Sequence, residues 1–172
     1  MSTVRRRAAK IRCAVFDIDG VMTDGLLYLG PDGAEWKAVS VRDGLGLKLL
    51  LKAGIEVAVI SGRPSLAMEQ RLRGLGVKHV FLNAEDKLPA WEALQSRLGL
   101  GDAQCSMMGD DTPDLPLLQR AGLALTVADA HPSVIRAAHW TSRNGGGRGA
   151  VREACDLILA SRAPKGARQR GG

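Results

Sequence analysis

The sequence predicts an α/β fold, a Rossmann-like parallel sheet with helices on both faces. Three observations carry this. Short apolar runs that end in turn residues recur at 13–16, 55–60, 79–82, 106–108 and 123–127, as strands buried on both faces do. Between and after them lie helix-period segments at 44–52, 64–75, 87–98, 113–121 and 131–138, four of which are followed by glycine (Gly54, Gly76, Gly99, Gly122), the residue that most readily takes the left-handed turn at a helix end. Strand and helix alternating in this way build a parallel sheet. At 172 residues a single core is expected.

Taken in order, residues 1–10 form a basic tail without apolar periodicity, expected to be disordered, and the domain runs from 11 to 160. The first strand ends at Phe16. Residues 25–41 then break the alternation: two β-like runs, 26–29 and 34–41, flank Gly30-Pro31-Asp32-Gly33, which predicts a β-hairpin inserted after the first strand. The second arm alternates imperfectly around Glu35, Trp36, Lys37 and Val39, so its faces stay unassigned. The remaining strands and helices follow, then Ser142 to Gly149 as a mobile cationic loop, a last helix near 150–160, and a second basic tail at 161–172, also expected to be disordered.

The net charge of +6 resides in the ends. Arg5, Arg6, Arg7, Lys10 and Arg12 precede the domain, Arg162, Lys165, Arg168 and Arg170 follow it, and residues 13–160 hold 15 basic against 18 acidic side chains. Each tail is either a solubilising extension or a contact for a polyanion. Aromatic residues make up 3% of the chain, too few for the stacking platforms that single-stranded nucleic acid needs. No run approaches the roughly 18 to 20 apolar residues of a membrane span, and a soluble cytoplasmic protein is expected. Cys13, Cys105 and Cys155 lack metal-site spacing and read as reduced structural thiols.

In an open parallel sheet, ligands bind beyond the carboxyl ends of the strands, and the polar residues gather there. Asp17-Ile18-Asp19-Gly20 follows the first strand, Ser61-Gly62-Arg63 the second of the main sheet, and Gly109-Asp110-Asp111-Thr112-Pro113-Asp114 the 106–108 run. Carboxylates converging on one point repel unless a cation lies between them, and a site of oxygen donors without His or Cys suits Mg²⁺. Asp17 is placed to attack phosphorus. Asp19, beyond it, is placed to protonate the leaving oxygen and later to take a proton from water. Ser61, with N–H groups at the start of the next helix, would hold phosphate oxygens, and Lys87 would supply fixed positive charge.

Four signatures in this order, Phe16-Asp17-Ile18-Asp19-Gly20-Val21-Met22-Thr23-Asp24-Gly25, Ile60-Ser61-Gly62-Arg63, Asp86-Lys87 and Gly109-Asp110-Asp111-Thr112-Pro113-Asp114, resemble the haloacid dehalogenase-like phosphotransferases. Short length, a hairpin where a cap domain would stand, Val41-Arg42-Asp43-Gly44-Leu45-Gly46 and Gly147-Arg148-Gly149-Ala150-Val151-Arg152-Glu153 resemble, more narrowly, the capless 3-deoxy-D-manno-octulosonate 8-phosphate phosphatases over about residues 10–160. Asn83-Ala84-Glu85 and Thr112-Pro113 depart from that pattern, and related phosphatases act on nonulosonate 9-phosphates. The resemblance implies a homotetramer in which hairpins associate and a neighbouring subunit closes each site. It also implies Mg²⁺ held by Asp17, the Asp19 backbone carbonyl and Asp110, with Asp111 and Asp114 acting from behind them.

Three residues keep two readings. Arg63 recognises a substrate carboxylate or is a surface charge. Asp43 caps its own helix or contacts the sugar. Arg148, with Arg143, belongs to an arm that closes over an anionic substrate or to a plain linker. Other classes fit less well: a phosphorylated receiver domain would need an aspartate where Ser61 stands, and a non-catalytic oligomeric binding module would have no need of both Asp17 and Asp19.

Overall fold

The computed structural model describes residues 2–162. In chain order it contains α1 (Thr3–Ala8), β1 (Cys13–Phe16), β2 (Tyr28–Leu29), β3 (Glu35–Trp36), α2 (Val41–Lys52), β4 (Glu56–Ile60), α3 (Leu66–Gly74), β5 (His79–Phe81), α4 (Leu88–Leu98), β6 (Cys105–Gly109), α5 (Leu115–Arg120), β7 (Leu123–Thr126), α6 (Pro132–Ala137), β8 (Trp140–Thr141) and α7 (Ala150–Arg162). Six strands form one sheet in the order β5-β4-β1-β6-β7-β8, every pair parallel. β1 is central and wholly buried. The order reverses beside it, so the chain crosses over there and opens a crevice above the ends of β1, β4 and β6.

Helices α2 and α7 pack together on one face, with α1 against α7, while α4 and α5 lie together on the other. The core between them is aliphatic, from Ile11, Ile18, Leu47 and Leu50 to Met107 and Met108, with Phe16 and Trp91 as the large buried rings. Trp91 is fully buried and donates its Nε1–H to Asp102 Oδ1 at 2.9 Å, which satisfies its one polar atom.

The expected hairpin is present as β2 paired antiparallel to β3, Tyr28 opposite Trp36, but it is shorter than the alternation suggested. Val41 opens α2 instead of closing the second arm, because the Ser40 side chain accepts from Asp43 N–H and caps the helix. The hairpin exposes Leu26, Leu29 and Trp36, the last 62% accessible.

Two further expectations are corrected. Part of the stretch read as a disordered N-terminal tail is a helix capped by Ser2, with Ala8 buried and Arg7 donating to Gly122 O at 2.8 Å; a helix of six residues is too short to announce itself by periodicity, and tertiary contacts hold it. The glycine-rich loop is docked: Gly147 N–H donates to Val21 O at 3.0 Å and Gly146 N–H to Asp129 Oδ1 at 3.0 Å. A Cβ at Gly146 would collide with the Gly20 carbonyl, so its glycines serve close packing under the Asp17–Gly25 segment. The C-terminal tail expected at 161–172 lies, beyond Arg162, outside the described residues. The edge strand β8, two residues long, leaves no alternation to read.

Candidate active site

β1 ends at Phe16, and the ladder with β6 continues one step further through Asp17 N–H to Met108 O at 3.0 Å. That bond fixes Asp17 at the strand mouth with 6% exposure. Asp110 follows β6 directly, and Ser61 is held at the end of β4 by its N–H to Phe81 O at 2.9 Å. Gly20 turns the chain at φ 82°. A side chain there would overlap the Asp110 carboxylate, so glycine lets the two loops meet.

Oxygens of Asp17, Asp110 and Asp114 lie within 4.8 Å of one another. Lys87, 5% exposed at the mouth of α4, sits among them, its Nζ 3.0 Å from Asp17 Oδ1 and 2.6 Å from Asp114 Oδ1. Asp114 is occupied on both sides, because Oδ2 accepts Asp110 N–H at 3.0 Å and Asp111 N–H at 3.4 Å. It therefore braces Lys87 and the loop. Asp111 is exposed and turns back to accept Thr112 N–H at 2.7 Å. Asp17 and Asp110 keep the free oxygens.

Electrostatics matches this division. Burial, then the charge of Asp114, pushes the Asp17 carboxyl up to about 7 against the pull of Lys87. Burial, then Asp17, Asp114 and Asp111, pushes Asp110 up to about 8. Burial alone would lower Lys87, but the two carboxylates beside it hold its pKa above the ordinary lysine value. Three acids against one ammonium, all oxygen donors at the free corner, are the setting for a hard divalent cation. Asp17 and Asp110 fit such an ion.

The cleft above has a volume of about 540 Å³ and is lined by Asp17, Asp19, Gly20, Gly25, Ser61, Gly62, Arg63, Glu85, Lys87, Asp110, Asp111, Pro113 and Asp114. The structure thus brings together most of the residues expected from the sequence. It does not bring all of them. The Asp19 carboxylate lies apart from the acid cluster and meets Lys37 Nζ from the hairpin at 2.6 Å. Ser61 lines the cleft, but its Oγ accepts Arg63 N–H at 3.4 Å, and α3 starts at Leu66 under its own cap Ser65. The N–H groups beside Ser61 therefore belong to a turn and not to a helix start.

Asp43 is corrected outright. It is buried, does not line the cleft, and neither caps its own helix nor faces a substrate. It accepts Arg152 N–H at 2.8 Å and Gly149 N–H at 3.3 Å, capping α7 from another part of the chain. Asp43→Ala is expected to lower stability in urea by about 1–2 kcal/mol, the worth of a helix cap, with kcat and KM of the folded enzyme unchanged; a raised KM without loss of stability would restore the sugar contact. Arg148 is exposed and does not line the cleft, and Arg143 is turned to Glu153 Oε2 at 3.3 Å. Neither forms an arm over the site within one chain. Arg63 does reach the cleft, paired with Glu35 at 3.0 Å and 3.9 Å from Asp19.

Sequence reasoning missed Lys37 and Thr23. Buried Thr23 receives Gly20 N–H at 3.3 Å and Gly25 N–H at 3.2 Å on its Oγ1, tying the ends of the turn together. A threonine after the apolar pair Val21-Met22 in a glycine-bounded segment is the signal for it.

A buried aspartate at the mouth of the central strand, with a serine and an acidic loop on neighbouring strand ends and a lysine at a helix start beside them in a Rossmann-like sheet, defines a haloacid dehalogenase-like phosphatase, and residues 83–152 match the haloacid dehalogenase-like hydrolase family. The 3-deoxy-D-manno-octulosonate 8-phosphate phosphatase of Yersinia pestis is 47% identical over 156 residues, covering 91% of this chain and 83% of that protein. Its crystal structure superposes with a TM-score of 0.91 at 46% identity, over 92% of this chain and 86% of that one. The enzyme of the same name from Moraxella catarrhalis, solved in complex with magnesium ion, phosphate ion and a KDO molecule, gives 0.91 at 36% identity over 94% and 93%. The chain belongs to the 3-deoxy-D-manno-octulosonate 8-phosphate phosphatase family.

Proposed function

We propose that this protein is a Mg²⁺-dependent phosphatase that hydrolyses 3-deoxy-D-manno-octulosonate 8-phosphate to the free sugar acid and phosphate through a phosphoaspartate at Asp17. The observation that carries the chemistry is the buried Asp17–Lys87–Asp114 arrangement with Asp110 beside it. The similarity to the Yersinia and Moraxella enzymes supports the substrate.

An Asp17 oxygen attacks phosphorus while the bond to the sugar oxygen breaks, and the departing oxygen takes a proton from Asp19. Water then attacks the acyl phosphate, Asp19 accepts its proton, and phosphate leaves with Asp17 restored. Lys87 offsets charge on the phosphoryl oxygens, and Ser61 and Gly62, which line the cleft, would hold them. Mg²⁺, when held by Asp17, the Asp19 carbonyl and Asp110, supplies neutralisation of the phosphoryl charge. Arg63 at the rim is suited to the sugar carboxylate.

The reading includes a homotetramer, since the hairpin's exposed Leu26, Leu29 and Trp36 need a cover. It also includes a cytoplasmic place in lipopolysaccharide inner-core synthesis, in keeping with three free buried cysteines. Among the described residues no helix is long and apolar enough to cross a membrane.

The test is phosphate release with Mg²⁺ from octulosonate 8-phosphate, a nonulosonate 9-phosphate and hexose phosphates. A kcat/KM for the octulosonate ester at least about tenfold above the others, equivalent to about 1.4 kcal/mol of transition-state discrimination, is expected. Preference for the nonulosonate would move the substrate assignment, and preference for hexose phosphates would overturn it.

A further inference from the structure

We propose that Lys37, carried in by the hairpin, is a positioning residue for Asp19 and holds its carboxyl group in the orientation that serves the leaving group. The inference rests on the phosphatase reading above and concerns the same site.

The hairpin is inserted between β1 and α2 and pairs only with itself, yet one side of it reaches Asp19 and Arg63, two residues that line the cleft. Glu35 and Lys37 are two residues apart, hence on the same side of an extended strand, with Trp36 on the other. Trp36 is 62% exposed. Glu35 grips Arg63 at 3.0 Å and Lys37 grips Asp19 at 2.6 Å. The Lys37 side chain is only 7% exposed, so its ammonium has left water for this one carboxylate. A lysine on a short exposed ribbon would ordinarily extend into solvent, and withdrawal of this kind costs free energy unless a partner compensates.

The geometry makes Asp19 asymmetric. Oδ1 is held by Lys37. Oδ2 is buried and has no hydrogen-bond partner among the described residues, with Arg63 Nε at 3.9 Å. A carboxylate free to rotate would offer either oxygen in many directions, whereas one pinned at Oδ1 by Lys37, with Arg63 beside Oδ2, is held in a single orientation at the cleft wall. Such pre-orientation is where a neighbouring residue contributes to proton transfer. Lys37 itself does not line the cleft, so it acts through Asp19 and not on the substrate.

The distinguishing measurement is dependence on the leaving group. An alkyl ester such as the sugar phosphate needs a proton on its departing oxygen, while p-nitrophenolate leaves without one. For Lys37→Met, kcat on the sugar phosphate is expected to fall about 10- to 100-fold, within the range of a misplaced general acid, with KM little changed and a much smaller loss on p-nitrophenyl phosphate. Lys37→Arg should recover most of the rate. On an Asp19→Asn background, Lys37→Met should add no further loss, because the group it positions is gone. Equal losses on both esters, a rise in KM alone, or losses that multiply in the double variant would each overturn the proposal while leaving the phosphatase reading intact. A wild-type protein inactive on every phosphate ester would overturn that reading, and this inference with it.

Discussion

Replacing Asp17 by Asn is expected to abolish turnover, by about 10⁴-fold or more, as removal of a nucleophile does elsewhere, with the fold retained. Asn has nearly the same shape and keeps the backbone bond from position 17 to Met108. It removes one of three mutually repelling carboxyls but also the partner of Lys87, which retains Asp114 at 2.6 Å. Stability should therefore move little, and circular dichroism with thermal unfolding checks that. Incubation of the wild type with substrate followed by rapid acid quench should trap phosphate on the protein, and the variant should trap none. Substantial metal-dependent turnover by Asp17→Asn would remove Asp17 from the role of nucleophile and the whole mechanism with it.

The second large effect is the interplay of metal, pH and stability. Asp17 and Asp110 have carboxyls raised to about 7 and about 8 in the folded chain, against about 3.9 for an unfolded aspartate. Between those values the folded protein holds protons that the unfolded chain has released, so the unfolded state is the one favoured as pH rises. The metal-free protein should thus lose stability from about pH 4 toward pH 8, by an amount on the order of several kcal/mol as an upper limit. A divalent cation reverses this, since it competes with protons for the same oxygens. At a Mg²⁺ concentration 100 times its Kd the stabilisation is about 2.7 kcal/mol, which at this length raises Tm by roughly 5–10 °C. The expected pattern is that rise at pH 8.5 and little at pH 5.5, measured against EDTA. Equal shifts at the two pH values would show that the ion binds away from these acids.

How far the sequence reaches is clearest strand by strand. The run at 13–16 coincides with β1 to the residue, because all four of its side chains are buried and its apolar character has no other cause. The strands at 55–60 and 123–127 are each one residue shorter in the structure. Asp17, Asp110 and Ser61 were legible for the same reason: a polar residue at the end of a buried strand is placed by the strand, whatever the rest of the chain does. Lys87 lies outside that rule, since its place at the start of α4 was readable but its burial between two acids was not.

What escaped the sequence depends on pairs far apart in it. Asp43 looked like a local cap, yet Ser40 took that role and Asp43 capped a helix more than a hundred residues away. Arg148 sits in a loop whose glycines suggested motion, and the neighbouring backbone of residues 20–24 turns those glycines into close contacts. Glu35 and Lys37 alternated too weakly to show which side faced inward, and only the approach of the hairpin to Asp19 and Arg63 chose it. By itself, then, the chain determined its strands, its helices and the acids at the strand mouths, because burial and local turn chemistry act over a few residues. Which charge meets which was decided by tertiary structure alone, because an ion pair is governed by distance in space, and periodicity along the chain carries no record of it.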